Sequence, residues 1–301
     1  MADPFLFFRE LGASSLLQRS AIAGACAGLS CACLSPFVVL RRMSFVGDGM
    51  AHAAFGGLGV GLFLLAGSRT EDSGVQVIVL GFCLLVGLAV AWSTRRGEVA
   101  GSAGAAGERG GGALAEDSAI GMAFSVAMAL GAWLITLRQR SDPQYTPSWE
   151  AYLFGSIATV GAGQVWLTVA LAAVVLLALI VFYKEWELYT YDETLAEVSG
   201  LPASFLHYFF ILLLVITVVA TARVVGVVLV SASLILPGVA ALSISRHLSR
   251  AVLLSALIGF LSFQGGLYVS YTWNVPPGSA VVLIQFAVTV FAMILGRLRG
   301  I

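Results

Sequence analysis

The sequence contains few charged residues. Only 11% of its 301 residues are Asp, Glu, Lys or Arg, whereas 59% are hydrophobic and the mean hydropathy is +0.96. A soluble domain usually carries about 25% charged residues, so the composition excludes an ordinary soluble domain and predicts an integral membrane protein. The formal net charge is zero and no basic patch is interleaved with aromatics. These two features exclude nucleic acid as a partner.

Several signatures of enzymes are also absent. There is no Walker-type glycine loop followed by Lys-Ser or Lys-Thr, so the chain does not bind ATP in that way. There is no His-Glu-x-x-His and no Gly-x-Ser-x-Gly, which argues against an intramembrane metalloprotease or serine protease. The N-terminus lacks the basic-then-apolar order of a signal peptide. The cysteines lie in apolar runs and are expected to act as packing residues: Cys26, Cys31, Cys33 and Cys83.

Apolar runs of about twenty residues, the length needed to cross a bilayer, recur along the whole chain. They predict an all-α polytopic helical bundle of about nine transmembrane helices, within a range of eight to ten, that forms a single domain over residues 1–301. Residues 150–162 are expected to form a short surface helix or a re-entrant piece. The predicted spans are 16–40, 44–67, 73–93, 118–137, 163–183, 203–220, 222–245, 249–271 and 277–297.

Arginine and lysine set the expected orientation, because cytoplasmic loops carry an excess of both. If the loops after spans one, three, five and seven and the C-terminus are cytoplasmic, ten of the sixteen basic residues lie inside. We therefore predict that the N-terminus is outside and the C-terminus inside. The ten residues are Arg41, Arg42, Arg95, Arg96, Arg109, Lys184, Arg246, Arg250, Arg297 and Arg299.

Two of the predicted cytoplasmic segments differ in character. Residues 97–117 are rich in glycine and are predicted to be a flexible linker without chemistry. Residues 184–202 are the most charged stretch of the chain and contain a predicted short helix, with Asp192 as its cap and Gly200 as its stop. Such a helix suits docking to another protein, and the alternative is a plain solvated surface helix. Its apolar positions are Leu195, Ala196 and Val198.

A proline lies inside the predicted seventh span, in the sequence Leu236-Pro237-Gly238. Proline has no backbone N–H, so it removes one helical hydrogen bond and bends the helix. The sequence therefore predicts an interruption of this span, which by itself indicates no function.

The second predicted span carries an acidic residue and a histidine four positions apart, Asp48 and His52. Residues at i and i+4 share one face of a helix, and a carboxylate and an imidazole at this spacing can hold one divalent ion. His52 follows Arg41 by eleven residues, or about 16 Å at 1.5 Å per residue. If Arg41 marks one membrane face, His52 lies near the middle of a hydrocarbon core about 30 Å thick. Placing an ionisable side chain there costs roughly 2.5–3.5 kcal/mol. The pair is interpreted as a polar station on a transport path, and the alternative is a buried pair that fixes helix packing.

Six stretches together resemble one family, the membrane permease subunits of manganese, zinc and iron ABC importers. They occur in the order of the family and cover most of the chain outside the glycine-rich linker, although the linker is longer than usual and the sequence SDPQYTPSWE is less typical. The stretches are RRMSFVGDGMAHAAFGG (41–57), EDSAIGMAF (116–124), YLFGSI (152–157), YDETLAEVSGLP (191–202), VVGVVLVSASLILPGVAA (224–241) and YVSYTWNVPPGSAVVL (268–283).

The resemblance implies a type II importer permease that lies in the bacterial inner membrane and works as a homodimer. It also implies two copies of a separate ATPase, an extracytoplasmic metal-binding protein, and no permanently bound cofactor. Asp48 and His52 match the Gly-Asp-x-x-x-His motif of the family, whose members use these positions as metal contacts. The segment around Asp192–Gly200 matches the part of the family that couples to the ATPase.

Two other transport mechanisms remain open from the residues alone. A proton-coupled secondary metal-ion carrier is the leading alternative, although that class usually has further buried carboxylates. A passive channel is the other, and it would need no docking helix. Imidazole and carboxylate together accept Mn²⁺, Zn²⁺ and Fe²⁺, so the ligands do not select one of these ions. His207 and His247 have no acidic residue at ligand spacing and are not expected to bind metal.

Overall fold

The computed structural model describes residues 14–65, 73–103, 111–141, 155 and 161–298, and these residues form helices and connecting turns without a strand. The predicted all-helical fold is therefore confirmed. The helices are α1 (Ser15–Leu40), α2 (Ser44–Leu64), α3 (Ser73–Ala103), α4 (Gly111–Ser141), α5 (Ala162–Val181), α6 (Tyr183–Tyr191), α7 (Glu193–Val198), α8 (Ala203–Val225), α9 (Val227–Ser233), α10 (Leu236–Ile244), α11 (Leu248–Trp273) and α12 (Pro277–Leu298).

Eight helical segments within the described ranges are long and apolar enough to cross a membrane. Each coincides with a predicted span. The remaining predicted span is α2, which has 21 residues and is therefore about 32 Å long, enough to cross a hydrocarbon core of about 30 Å. The eight segments are Leu17–Leu40, Gly74–Trp92, Gly121–Ser141, Gly163–Val181, Ala203–Ala222, Val227–Ile244, Leu248–Trp273 and Pro277–Leu298.

The predicted linker over 97–117 is helical at both of its ends, which corrects the expectation from composition. Residues 97–103 continue α3, and residues 111–117 begin α4. Extending an existing helix adds one hydrogen bond per residue without the cost of nucleation, and alanine and glutamate favour the helix. Residues 104–110 lie outside the described residues, as does most of the predicted surface or re-entrant piece at 150–162.

The chain divides into two compact units. The first comprises Met1–Ser44, Ser148–Leu201 and Ala220–Ile301, and the second comprises Phe45–Pro147 and Pro202–Val219. The prediction of one transmembrane domain therefore stays a prediction.

In the first unit, side chains of neighbouring helices make hydrogen bonds with backbone groups close to two prolines. Pro36 lies inside α1 and has no N–H to donate to the carbonyl of Ala32. The hydroxyl of Ser255 in α11 donates to that carbonyl oxygen instead. Backbone groups within a membrane must be satisfied inside the protein, so this hydroxyl allows a proline in a long buried helix.

The seventh span is interrupted, which confirms the prediction: α9 and α10 are separate helices, and Pro237 lies in the first turn of α10. The Gly238 N–H has no intrahelical partner there, and it donates to Ser35 Oγ at 2.8 Å. Thr289 Oγ1 donates to the Leu236 carbonyl oxygen at 3.1 Å. Both new partners come from other helices, so the break is stabilised by tertiary contacts.

In the second unit, α2 packs closely against α3 on one side and α4 on the other. Residue numbers fall along α3 and rise along α4 as they rise along α2, so α2 is antiparallel to α3 and parallel to α4. A Cβ atom on Gly59 would lie 2.5 Å from the carbonyl oxygen of Gly131, so the helices approach at backbone distance, as small residues permit. The neighbouring pairs are Gly57 with Val79, Gly61 with Val75, Gly56 with Ala127, and Gly59 with Gly131.

Candidate functional site

Asp48 and His52 lie one turn apart on the same face of α2. Asp48 Oδ2 is 3.7 Å from His52 Nε2, and the two side chains are 39% and 27% exposed respectively. The helix around them is otherwise largely buried. The i, i+4 arrangement expected from the sequence is therefore present, with an accessible carboxylate and an imidazole side by side.

Phe124 of α4 covers one face of the His52 ring. The two rings are stacked, with centroids 5.5 Å apart and an interplanar angle of 23°. The ring edge that carries Nε2 lies near Asp48. The stacking therefore restricts rotation of the imidazole but leaves Nε2 uncovered. Sequence reasoning gave Phe124 no role of its own, although it ends the stretch EDSAIGMAF at 116–124.

The pair does not form a complete metal site by itself. Among the described residues no group of three or more His, Cys, Asp or Glu side chains is close enough to hold a metal ion. The described part of the chain therefore brings together only two side chains of the kinds that bind metal ions at this position. Structural zinc sites have four protein ligands and catalytic sites three, so the pair has fewer such side chains than either kind of site.

A buried arginine satisfies the C-terminal end of α2, and sequence reasoning missed it. Arg138 of α4 is 7% exposed, and its Nη1 donates to the carbonyl oxygens of Leu62 and Leu65, the latter at 3.2 Å. The last carbonyls of a helix have no intrahelical donor, and a cation there also interacts favourably with the helix dipole. Arg138 thus holds the end of the helix that carries Asp48 and His52.

The short helix predicted within residues 184–202 is present as α7, with the predicted ends. Asp192 Oδ1 accepts from the Leu195 N–H at 2.9 Å and caps its N-terminus. Gly200 has a φ of +83°, a left-handed conformation that glycine adopts readily. Gly200 N–H donates to the Glu197 carbonyl and Leu201 N–H to the Ala196 carbonyl, the paired bonds of a Schellman C-cap.

The apolar residues of α7 lie on two sides of it. Ala196 is fully buried, whereas Leu195 is 50% and Val198 81% exposed. The helix is therefore held by one side and presents apolar side chains on the other. Arg41, at the end of α1, contacts Tyr189 of α6 and Glu193 of α7, so α7 lies beside the end of α1. The loops after spans one and five thus lie on the same side, as the predicted orientation requires.

Within the described ranges, neither the other histidines nor the cysteines belong to a group of three or more potential metal ligands. His207 is 4% exposed and lies in α8, whereas His247 is exposed and precedes α11. All four cysteines are free thiols. Cys31 and Cys83 are buried, in agreement with a packing role.

Comparison with known proteins identifies the family. The sequence matches the ABC 3 transport family over residues 13–296. The chain belongs to this family. It is therefore a transporter component and a multi-pass integral membrane protein, which in bacteria lies in the inner membrane. The resemblance to metal ABC importer permeases is confirmed.

Curated relatives and a solved structure match almost the whole chain. The manganese transport system membrane protein MntC of Listeria monocytogenes is 30% identical over 300 residues, which cover 98% of this chain and 96% of the relative. The chelated iron transport system membrane protein YfeD of Yersinia pestis is 29% identical over 99% of this chain and 91% of the relative. PsaBC from Streptococcus pneumoniae, solved in complex with Fab, is 27% identical with a TM-score of 0.76, covering 95% of this chain and 94% of that chain.

Proposed function

We propose that this chain is the permease subunit of an ATP-driven importer that moves divalent transition-metal ions, Mn²⁺, Zn²⁺ or Fe²⁺, into the cytoplasm. The observation that carries the proposal is the Asp48–His52 pair, 3.7 Å apart on α2 and accessible in part. A carboxylate and an imidazole are ligands for all three ions. The names of the relatives, which refer to manganese and chelated iron, support the same class of cargo.

The two ligands of one chain are proposed to be completed by a second copy of the chain. A homodimer whose α2 helices face a common path offers two carboxylates and two imidazoles. Such a site attracts a cation, while its open coordination allows release. The affinities of Mn²⁺, Fe²⁺ and Zn²⁺ for a given set of ligands follow a fixed general order. The ligands therefore cannot choose the ion freely, and selection falls to geometry and to the extracytoplasmic binding protein that delivers the ion.

The energy is proposed to come from two copies of a separate ATPase that bind the exposed side of α7. The exposed Leu195 and Val198 give this helix an apolar contact face, and its two caps hold it rigidly. Aliphatic anchors laid in a groove are a common way to recognise a helix.

The metal station is tested with Asp48→Asn and His52→Ala in the purified complex reconstituted into proteoliposomes with its ATPase. Asn keeps the shape of the side chain but removes the charge, and Ala removes the imidazole. Each variant should lower uptake by at least about tenfold, because the loss of groups that only support a metal ligand already costs that much. Asp48→Asn should be as thermally stable as the wild type or more so, since a neutral group costs less to bury.

His247→Ala is the matched control, because it removes an exposed histidine that belongs to the other compact unit. Full transport by both pathway variants would contradict the metal station. A loss of membrane-inserted protein in step with the loss of transport would instead favour a packing pair. Wild-type uptake without ATP or the ATPase would point to a proton-coupled carrier or a channel.

The docking face is tested with the double variant Leu195→Asp and Val198→Asp. Two carboxylates at these positions remove the apolar face, so ATP-driven uptake or assembly with the ATPase should be lost while the permease remains inserted. Leu195→Met with Val198→Ile keeps the face apolar and should retain both. Normal uptake by the aspartate variant would leave α7 as a plain surface helix.

A further inference from the structure

Arg41, the residue that follows α1, makes three contacts with the segment that contains α6 and α7. Its Nη1 donates to the Tyr189 carbonyl oxygen at 3.0 Å. Its Nη2 lies 3.4 Å from Glu193 Oε2. Its guanidinium carbon lies 3.6 Å from the centroid of the Tyr189 ring. One side chain thus contacts the last turn of α6 and the first residue of α7.

These contacts bind Arg41 to the segment more strongly than a surface ion pair would. Its side chain is only 11% exposed, so its interactions are screened less than those of exposed pairs. The planar guanidinium donates in two directions and stacks on the ring at once, which the point charge of lysine cannot do. Tyr189 is 1% exposed, so the ring against which Arg41 stacks is itself fixed.

An aromatic cluster one turn earlier in α1 holds the same segment. Phe37 contacts Tyr183 and Trp186 edge-on, with centroids 6.3 Å apart in both pairs. Phe37 and Trp186 are each 1% exposed. Positions 183, 186 and 189 recur at helical spacing, so one side of α6 rests on the last two turns of α1.

The position of α7 follows from that of α6, because a single residue joins them. Asp192 is the C-cap of α6 and the N-cap of α7. The end of α1 is therefore connected to α6 and α7 by side-chain and backbone contacts, and Arg41 touches both of the shorter helices.

The chain that leaves this body leads directly to the metal station. Arg42 has a φ of 57°, α2 begins at Ser44, and Asp48 follows four residues later. Only Arg42 and Met43 separate Arg41 from Ser44, the first residue of α2, so the backbone path between them is short.

We infer that Arg41 is a positioning residue that couples ATP hydrolysis to transport. It makes α7 and the end of α1 move together, so that motion imposed on α7 by the ATPase reaches the helix that carries Asp48 and His52. This inference rests on the proposed function, because it assumes that the ATPase acts on α7.

The test compares Arg41→Gln with Arg42→Gln in the reconstituted complex. Both changes remove one positive charge at neighbouring positions, but Arg42 is exposed. Three quantities are measured on each variant: the amount of assembled complex, the rate of ATP hydrolysis and the metal transported per ATP hydrolysed. Arg41→Gln should assemble and hydrolyse ATP while transporting about tenfold less metal per ATP, the size expected when a charge-assisted hydrogen bond is lost. Arg42→Gln should match the wild type in all three.

Arg41→Lys keeps the charge but not the fork of donors, so its transport per ATP should fall between the wild type and Arg41→Gln. Unchanged transport per ATP in Arg41→Gln would overturn the inference. So would a loss of assembled complex that accounts for the whole loss of uptake, since Arg41 would then only stabilise the fold. If Arg41→Gln does not fold, a wild-type ratio in Arg41→Lys would still overturn the inference. Failure of the proposed function is seen separately, as wild-type uptake that does not require the ATPase.

Discussion

The second span carries many glycines and two ionisable side chains, and the seventh carries a proline, but only the seventh is interrupted. α2 contains six glycines and two ionisable side chains and is still one helix from Ser44 to Leu64. The seventh span, Val227–Ile244, has a mean hydropathy of 2.3 and no charged residue, yet it is divided into α9 and α10.

The difference shows that continuity depends on backbone hydrogen bonds more than on side-chain polarity. Glycine weakens a helix by about 1 kcal/mol relative to alanine, but it keeps its N–H. Proline removes the N–H and clashes with the preceding turn, at about 3 kcal/mol or more. In α2 the neighbouring helices offset the cost of glycine by close packing, and in the seventh span Ser35 and Thr289 satisfy the groups at the break.

The largest expected effect comes from adding a methyl group to α2 where its backbone meets α4. In Gly59→Ala the new Cβ would lie 2.5 Å from the Gly131 carbonyl oxygen and 2.6 Å from its Cα. Because both atoms belong to the backbone, a whole helix must shift, and we expect a loss of about 3 kcal/mol or more, the upper end for overpacking. Thermal unfolding of the purified protein in detergent measures this loss of stability.

The matched control is Gly163→Ala in α5, where an added Cβ meets nothing within 4 Å. That change should cost nothing, because alanine is the better helix former. Equal stability of the two variants would mean that α2 and α4 do not depend on backbone contact at Gly59.

A smaller loss is expected from Arg138→Gln, which removes the cation at the end of α2. The carbonyl oxygens of Leu62 and Leu65 lose a charged donor, worth about 1.5–3 kcal/mol for hydrogen bonds of this kind. Arg140→Gln removes the same charge from an exposed position two residues later in α4. The melting temperature should fall in the first variant and stay nearly unchanged in the second, and equal melting temperatures would contradict the capping role.

The smallest effect is expected at the break in the seventh span. Ser35→Ala leaves the buried Gly238 N–H without the acceptor it has at 2.8 Å, at a cost of about 1–2 kcal/mol. Ser243→Ala is the control, because its hydroxyl donates to the Val239 carbonyl within the same helix and is not needed to complete the backbone pattern. If Ser35→Ala unfolds at the same temperature as Ser243→Ala, the hydroxyl of Ser35 does not stabilise the break.

The features that sequence reasoning found are those whose determinants lie close together in the chain. Asp48 and His52 are four residues apart, so helix geometry alone places them side by side. Asp192 and Gly200 cap a helix of six residues, and the proline that breaks the seventh span acts on its own turn. The predicted orientation likewise rests on local counts of arginine and stays a prediction.

The features that it missed depend on residues far apart in the chain. Arg138 lies one residue beyond the predicted span 118–137, and nothing near it in the sequence indicates that it reaches Leu62 in another helix. The contacts of Arg41 with Tyr189 and of Phe124 with His52 are equally non-local. The extent of the linker was misjudged for another reason: glycine-rich composition predicted irregular structure, whereas adjoining helices extend into it.

The contact between Gly59 and Gly131 has a consequence for how this protein can evolve. Both partners already have a hydrogen atom as their side chain, so neither can become smaller to compensate for growth of the other. No second substitution at the contact itself can therefore compensate for a larger residue there. Restoring the packing would require a shift of the helix backbone. In lineages that keep this packing, we expect both positions to remain glycine while the residues around them drift.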